Sequence, residues 1–237
     1  MSSEVIFNVM GSTAIITLNR PDRKNAINQA LLTGLYDSIE EIAQNSEIKV
    51  GIITGAGDAF CSGIDLECLA TDNLFDPRGD GKDMPELFSA CSKPIIGAVN
   101  GYAITGGFEI ALNCDFLIAS ENAVFADTHA KVGIHPGWGM SQLLQQAVGQ
   151  RRAKQFSTAC EKISAQRALN CGLVNEVVPA AKLLERAMDI AGDIGSVNYD
   201  MMLTIKKLIE EKNRTTFDGA MAVEKKGFKT FLGSFSR

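Results

Sequence analysis

Apolar residues recur along this chain with two periods, and the changes of period divide it into elements. Ala14 to Leu18 is a short apolar run that predicts a buried strand. Ile27, Leu31, Leu35, Ile39 and Ile42 follow at spacings of three and four, the period of one helix face. Val50 to Thr54 returns to a short run and predicts a second strand. Residues 71–84 keep neither period and are rich in Asp and Gly, so a mobile loop is expected there. Runs at 94–99 and 115–119 predict two more buried strands, on either side of a helix that begins near Glu109. After Trp138 the pattern is mainly helical, and helical spacing runs on through Phe217, Met221, Phe228 and Phe231. The first half thus repeats strand and helix units, the second is a helical region, and the class is α/β.

Two glycine turns interrupt this pattern where a strand gives way to helical residues. The first is Asn100-Gly-Tyr-Ala-Ile-Thr-Gly-Gly-Phe-Glu109. Backbone N–H groups at a helix start lack helical partners and carry partial positive charge. Gly106 and Gly107 have no Cβ, which would let a ligand approach their backbone. Glu109, three residues after Gly106, shares its helix face. An oxyanion donor beside a carboxylate suits chemistry on a carbonyl whose oxygen gains negative charge. Taken alone, Gly-Gly before a helix is more often a plain turn, and a helical Glu is more often solvated. The second turn shifts that balance. Val50-Gly-Ile-Ile-Thr-Gly-Ala-Gly-Asp-Ala-Phe-Cys-Ser-Gly-Ile-Asp-Leu66 reads as a strand, a glycine loop and a helix start with Asp65 as N-cap. Two such turns can point two amides at one oxygen.

These blocks, in this order, resemble the enoyl-CoA hydratase/isomerase (crotonase) superfamily. Leu18-Asn-Arg-Pro21 with Asn25-Ala26 resembles its N-terminal signature, and Phe60 to Leu66 its first oxyanion loop. Lys93 to Ala103 with Gly106-Gly-Phe-Glu109 resembles the second. Cys114-Asp115, Phe125, Gly133, Pro136-Gly137, Ser164-Ala-Gln, Gly172-Leu-Val174 and Val177-Val-Pro179 continue the pattern over nearly the whole chain. The resemblance implies a spiral of repeated ββα units over 1–195 and a shortened C-terminal helical trimerisation region over 196–237. It implies that the Ile64 and Gly106 amides form the oxyanion hole and that Glu109 is an acid/base. CoA or substrate contacts are expected at Lys24, Ala26, Ser62, Asp65, Leu66, Tyr102 and Gly137. The implied activity is addition of water to a 2-enoyl-CoA, as in β-oxidation of fatty acids. The alternatives are double-bond isomerisation or other enolate chemistry, or acyl-CoA binding without turnover. The implied assembly is a homotrimer or hexamer. No metal or redox cofactor is implied, coenzyme A being part of the substrate.

Several positions depart from the pattern. The family's second glutamate falls at His129, in Phe125-Ala-Asp-Thr-His-Ala-Lys131. Imidazole titrates near pH ~6.5 in water, so it suits acid/base work around neutrality. Either His129 takes the second acid/base role while Glu109 activates water, or it is a structural hydrogen-bonder and catalysis is lost or changed. Asp127 is the weaker candidate. Glu67 stands where relatives often carry a basic CoA contact, which shifts phosphate binding toward Lys24 and, less strongly, Arg23. Trp138 and Met140 replace smaller residues and either join the core or narrow the acyl pocket.

Composition narrows the partners. A net charge of −5 and the lack of a basic stripe argue against nucleic acid. Hydrophobic content of 46% with 22% charged residues fits a globular chain, and no apolar run is long enough to span a bilayer. The six cysteines form no Cys-x-x-Cys pair, so a zinc site is not expected, and they read as free thiols in a reducing compartment, with the cytoplasm as the default expectation. Cys61, beside the oxyanion loop, is a nucleophile candidate, though packing is the commoner use.

Overall fold

The structure is a computed structural model that describes residues 3–211 and 213–235. It comprises two compact units, Met1–Gly195 and Ser196–Arg237. In the first, an antiparallel pair, β1 (Val5–Met10) and β2 (Thr13–Leu18), leads into α1 (Gln29–Gln44). Three strand–strand–helix turns follow. They are β3 (Val50–Gly55), β4 (Ala59–Cys61) and α2 (Met84–Ala90); β5 (Ile95–Val99), β6 (Tyr102–Ile104) and α3 (Gly106–Asn113); and β7 (Phe116–Ser120), β8 (Val124–Ala126) and α4 (His129–Val132). The unit closes with α5 (Met140–Val148), α6 (Gln150–Ala159), β9 (Ile163–Ser164), α7 (Ala165–Asn170), β10 (Glu176–Val178) and α8 (Leu183–Ser196).

The first strand of each turn enters a six-stranded sheet, ordered β1-β2-β3-β5-β7-β10. The second enters a four-stranded sheet, ordered β4-β6-β8-β9. Each turn therefore steps one strand along both sheets, which makes the ββα spiral. Strands β2, β3, β5 and β7 are parallel and buried on both faces, as their unbroken apolar runs require. Ile15 lies opposite Ile52, and Ile52 opposite Ile96; this face packs on Leu183, Ala187 and Ala191 of α8. The alternate residues Ile16, Ile53 and Val99 face the larger core, with Leu31, Leu35 and Ile39 of α1. Burial contributes roughly 2 kcal/mol per large aliphatic side chain, so these two layers form the rigid frame of the site.

Two of the expected elements take a different form, and β1, β4, β6, β8, β9 and β10 had no counterpart in the expectation. Ile27 lies outside the helix, because the Asn28 side chain accepts from the Leu31 amide at 2.9 Å and starts α1 at Gln29. Residues 71–84 are tied to α1 rather than loose. The Gln29 amide donates to Asp72 at 2.8 Å, the Gln29 side chain donates to the Pro77 carbonyl at 2.8 Å, and Arg78 pairs with Asp37 and Glu40. Arg78, with Lys82, pulls the Glu40 carboxyl down to about 2. Asp83 then caps α2 through a capping box, so Met84 is helical.

The second unit consists of α9 (Tyr199–Glu211) and α10 (Phe217–Phe235). Ile205, Ile209, Phe217 and Phe228 are exposed on it. Among the described residues no helix is long and apolar enough to cross a membrane.

Candidate active site

The short strands β4, β6 and β8 are parallel and adjacent, with Ala103 opposite Cys61 and Ile104 opposite Ala126. Their carboxyl ends therefore open side by side, the usual place for a ligand in parallel sheets. The chain leaving β4 supplies Ile64, that leaving β6 supplies Gly106, and that leaving β8 supplies His129. Topology alone thus gathers three of the sequence candidates, and Glu109 enters with α3.

The β4 exit is held from beneath by Asn25. This residue is fully buried with φ 55°, a conformation that Asn tolerates better than most residues. Its Nδ2 donates to the carbonyls of Ala56, Ala59 and Phe60 at 2.9, 2.8 and 3.2 Å, and its Oδ1 accepts from the Arg20 amide at 2.8 Å. Ile27 then pairs with Ile64 in an isolated parallel bridge. The Ile27 amide donates to the Gly63 carbonyl, and the Asp65 amide donates to the Ile27 carbonyl, both at 2.8 Å. This pairing uses the groups flanking Ile64, so the Ile64 N–H faces away from Ile27; among the described residues it has no acceptor. Gly63 has φ 93°, and a Cβ there would lie 2.9 Å from the Ile104 carbonyl oxygen and 3.5 Å from the Gly106 nitrogen. Glycine is required at that point by both conformation and space.

The β6 exit is built differently. Thr105 has φ 50° and ψ −109°, and such a conformation costs a β-branched residue about 1–3 kcal/mol. Its amide donates to the Ala126 carbonyl at 2.8 Å, and its carbonyl accepts from the Glu109 amide at 2.9 Å. The turn delivers Gly106 as the first residue of α3; its N–H has no acceptor among the described residues. A Cβ on Gly106 would lie 3.7 Å from the Gly63 Cα, so the two exits are in contact and their free amides are neighbours. The expectation for Gly107 is corrected: a Cβ there would lie 2.2 Å from the Cys61 carbonyl oxygen, so packing against β4 demands this glycine, not ligand approach.

Glu109 is 1% exposed. Its Oε1 accepts from the amides of Trp138 and Met140 at 2.9 and 3.1 Å, and its Oε2 lies 3.7 Å from His129 Nε2. Burial pushes the Glu109 carboxyl above its usual range, against the pull of those two amides and of His129. The His129 ring is also buried, and its Nδ1 lies 2.7 Å from Asp127 Oδ1, which accepts the His129 amide as well, at 3.1 Å. Burial alone would raise the Asp127 carboxyl, but hydrogen bonds from His129 and Ser157 outweigh it and hold the group below its usual range. Asp127 therefore faces His129 and fixes which ring nitrogen is turned toward Glu109. Sequence reasoning ranked Asp127 low; the Asp-x-His spacing was the available signal. The Trp138 and Met140 amides had none, because any residue supplies an N–H.

A family comparison adds to this geometry. The model of the enoyl-CoA hydratase/isomerase family matches residues 9–236. The chain belongs to the enoyl-CoA hydratase/isomerase family. It is 39% identical over 232 residues to an Arabidopsis thaliana protein named probable enoyl-CoA hydratase 1, peroxisomal, covering 96% of this chain and 86% of that one. It is 37% identical over 230 residues to the short-chain-enoyl-CoA hydratase of Clostridium acetobutylicum, covering 95% and 88%. Its fold matches the crystal structure of an enoyl-CoA hydratase from Bacillus anthracis with a TM-score of 0.88 at 32% identity, covering 98% and 92%.

Around this candidate site, the other expected contact residues form a rim of mixed character. Lys24 is exposed, pairs with Asp58 at 2.9 Å and lies 5.7 Å over the exposed Tyr102 ring. The Asp58 carboxylate raises the Lys24 ammonium pKa and is itself lowered by it. Arg23 pairs with Glu67 at 3.2 Å, so the acidic departure occupies one of the two basic candidates. The Ser62 amide donates to the Lys24 carbonyl at 3.0 Å, and Leu66 is exposed. Gly137 is exposed one residue before Trp138; a Cβ there would lie 3.5 Å from Phe75. Two expected contacts turn inward. The Ala26 carbonyl accepts from Arg20, and the Asp65 carboxylate accepts from the same guanidinium at 3.1 Å and from the Glu67 amide at 3.3 Å. Asp65 thus caps the helix start expected there, which is a 3-10 turn, Leu66–Cys68. Trp138 is buried, and a Cβ on Gly106 would meet its ring at 3.2 Å, so it joins the core and also walls the site. Cys61 is ruled out as a nucleophile: it is fully buried, and burial pushes its thiol up to about 12. Among the described residues no His, Cys, Asp and Glu group is placed to hold a metal.

Proposed function

We propose that this protein adds water across the double bond of a 2-enoyl-CoA and releases a 3-hydroxyacyl-CoA. The observation that carries the reading is the pair of unpartnered amides, Ile64 and Gly106, set beside a buried Glu109–His129–Asp127 row. The thioester oxygen accepts from both amides as it becomes enolate-like; each such donor stabilises the transition state by roughly 3 kcal/mol. The 3.7 Å between Glu109 Oε2 and His129 Nε2 is too long for a hydrogen bond, but a water seated off their line reaches both. Glu109 takes a proton from that water as its oxygen bonds the β carbon. His129 gives its Nε2 proton to the α carbon while its Nδ1–H stays donated to Asp127. A second water entering the gap then relays the proton from Glu109 to His129, and the cycle closes with no metal or redox cofactor.

Two acid/base groups favour hydration over an isomerase with one carboxylate. A binding protein would have no use for three ionisable groups held out of water, which costs stability. The relatives named above act on enoyl-CoA substrates, which supports the same reading. Lys24, Arg23, Ser62, Leu66, Tyr102 and Gly137 are assigned to the CoA and acyl rim. The exposed apolar residues of α9 and α10 support a homotrimer or hexamer, and the six free cysteines support a cytoplasmic setting. The test is incubation with crotonyl-CoA in heavy-oxygen water. Loss of conjugated-enoyl absorbance with the label in the 3-hydroxyl group is expected, and His129→Ala should slow it roughly a hundredfold or more. Exchange of α protons without hydration would favour the isomerase instead.

A further inference from the structure

We infer that Thr105 and Thr128 form a positioning clasp that holds the oxyanion donor and the acid/base pair in one fixed geometry. Their hydroxyls share a hydrogen bond of 2.5 Å, and the Thr128 amide donates to the Thr105 hydroxyl at 3.2 Å. Thr105 directly precedes Gly106, whose amide is the donor, and its carbonyl accepts from the amide of Glu109. Thr128 directly precedes His129 and sits between it and Asp127. One side-chain contact therefore joins the β6 and β8 exits at the residues that directly precede Gly106 and His129.

The backbone explains why a clasp is needed. Thr105 stands at φ 50°, where a β-branched residue is strained, and relaxation of that angle would swing the Gly106 N–H. The Ala126 carbonyl holds the Thr105 amide at 2.8 Å, and the hydroxyl pair holds its side chain, so the strained conformer is fixed at two points. Neither threonine need touch substrate; each acts through its neighbour. The proposal rests on the oxyanion cradle described above and extends it.

The test uses the full chain with Thr105→Val and Thr128→Val, which keep the shape and remove the hydroxyls. Each should lower kcat on crotonyl-CoA by about tenfold to a hundredfold, since small misplacements of a donor are costly in rate. KM should stay within about twofold, because ground-state contacts are untouched. The double variant should be no slower than the worse single one, as expected for two ends of one contact. Thr105→Ser and Thr128→Ser, which restore the hydroxyl, should recover most of the rate. A second readout uses acetoacetyl-CoA, whose enolate is a stable oxyanion with its own ultraviolet absorbance. Wild type should raise the bound enolate fraction, and the valine variants should lose that gain. A folded Thr105→Val with unchanged enolate absorbance and kcat within about twofold of wild type would overturn the clasp. Should that variant fail to fold, the same result from Thr128→Val would overturn it. If wild type hydrates no enoyl-CoA, the hydratase reading falls, and the enolate measurement alone decides the clasp.

Discussion

The chain leaves β4 and β6 at adjacent points and presents a free amide each time, yet the two exits are built in opposite ways. At the first, the residue before the donor is Gly63, at φ 93°, where glycine carries no steric cost. At the second it is Thr105, at φ 50°, which carries a cost and a hydroxyl. The first exit is fixed by its surroundings, through Asn25 and the Ile27 bridge. The second is fixed partly by its own side chain, and through it is joined to the segment that carries His129. The difference teaches that the Ile64 amide is a static part of the frame, whereas the Gly106 amide is tied to the segment that carries Asp127 and His129.

The largest expected effect comes from breaking the static exit. Gly63→Ala places a Cβ 2.9 Å from the Ile104 carbonyl at a left-handed φ. Activity on crotonyl-CoA should fall by more than about a hundredfold, and urea unfolding should show a loss of about 2 kcal/mol. Retention of both would place the amides elsewhere.

Next is Asp127→Asn, which tests the third exit. kcat should fall roughly tenfold or more, because the amide no longer fixes the imidazole for proton transfer. Stability should change in a way that reveals the sign of each group. The Asp127 carboxyl is lowered in the fold, so it stabilises above its unfolded value near ~3.9 and loses that contribution as pH falls through the lowered one. Glu109 is raised by burial, so its ionisation destabilises the fold as pH rises from its unfolded value near ~4.3 through the raised one. At pH 7, Asp127→Asn should melt lower than wild type and Glu109→Gln higher. Melting curves at pH 7 and pH 3 check this: both differences should shrink at the lower pH.

Thr105→Gly sharpens the comparison by making the second exit resemble the first. Glycine removes the strain but adds chain entropy on unfolding, so stability should stay within about 1 kcal/mol of wild type. The rate should still fall about tenfold, because the hydroxyl is gone. The smallest effect is at the rim. Glu67→Gln frees Arg23 from an exposed ion pair worth little by itself, and KM for crotonyl-CoA should fall by about twofold at low salt and change less at high salt.

Most long elements were legible in the sequence because their apolar pattern repeats often enough to show; β1, six residues of which only Val5 is buried, was missed. α1 and the strands near 14–18, 50–54, 94–99 and 115–119 lie where the apolar pattern put them. The strands that build the site were not legible. β4, β6 and β8 have three residues each, too few for an alternation to show above chance, and they hide inside glycine-rich stretches. Ile64, Gly106, Glu109 and His129 were reached through ordered motifs, and the structure brings them together. Thr105 and Thr128 carried no sequence signal, since their pairing depends on a register between β6 and β8 that only the fold supplies. The inward turn of Ala26 and Asp65 depends likewise on where Arg20 lies in space.

The most direct measurement is the initial rate of crotonyl-CoA hydration by wild type and by Glu109→Gln at equal folded concentration. The account expects steady turnover by wild type and a loss of at least about a hundredfold in the variant, since one positioned acid/base group typically contributes that much. Equal rates in the two proteins, or no hydration by wild type at any acyl length, would contradict it.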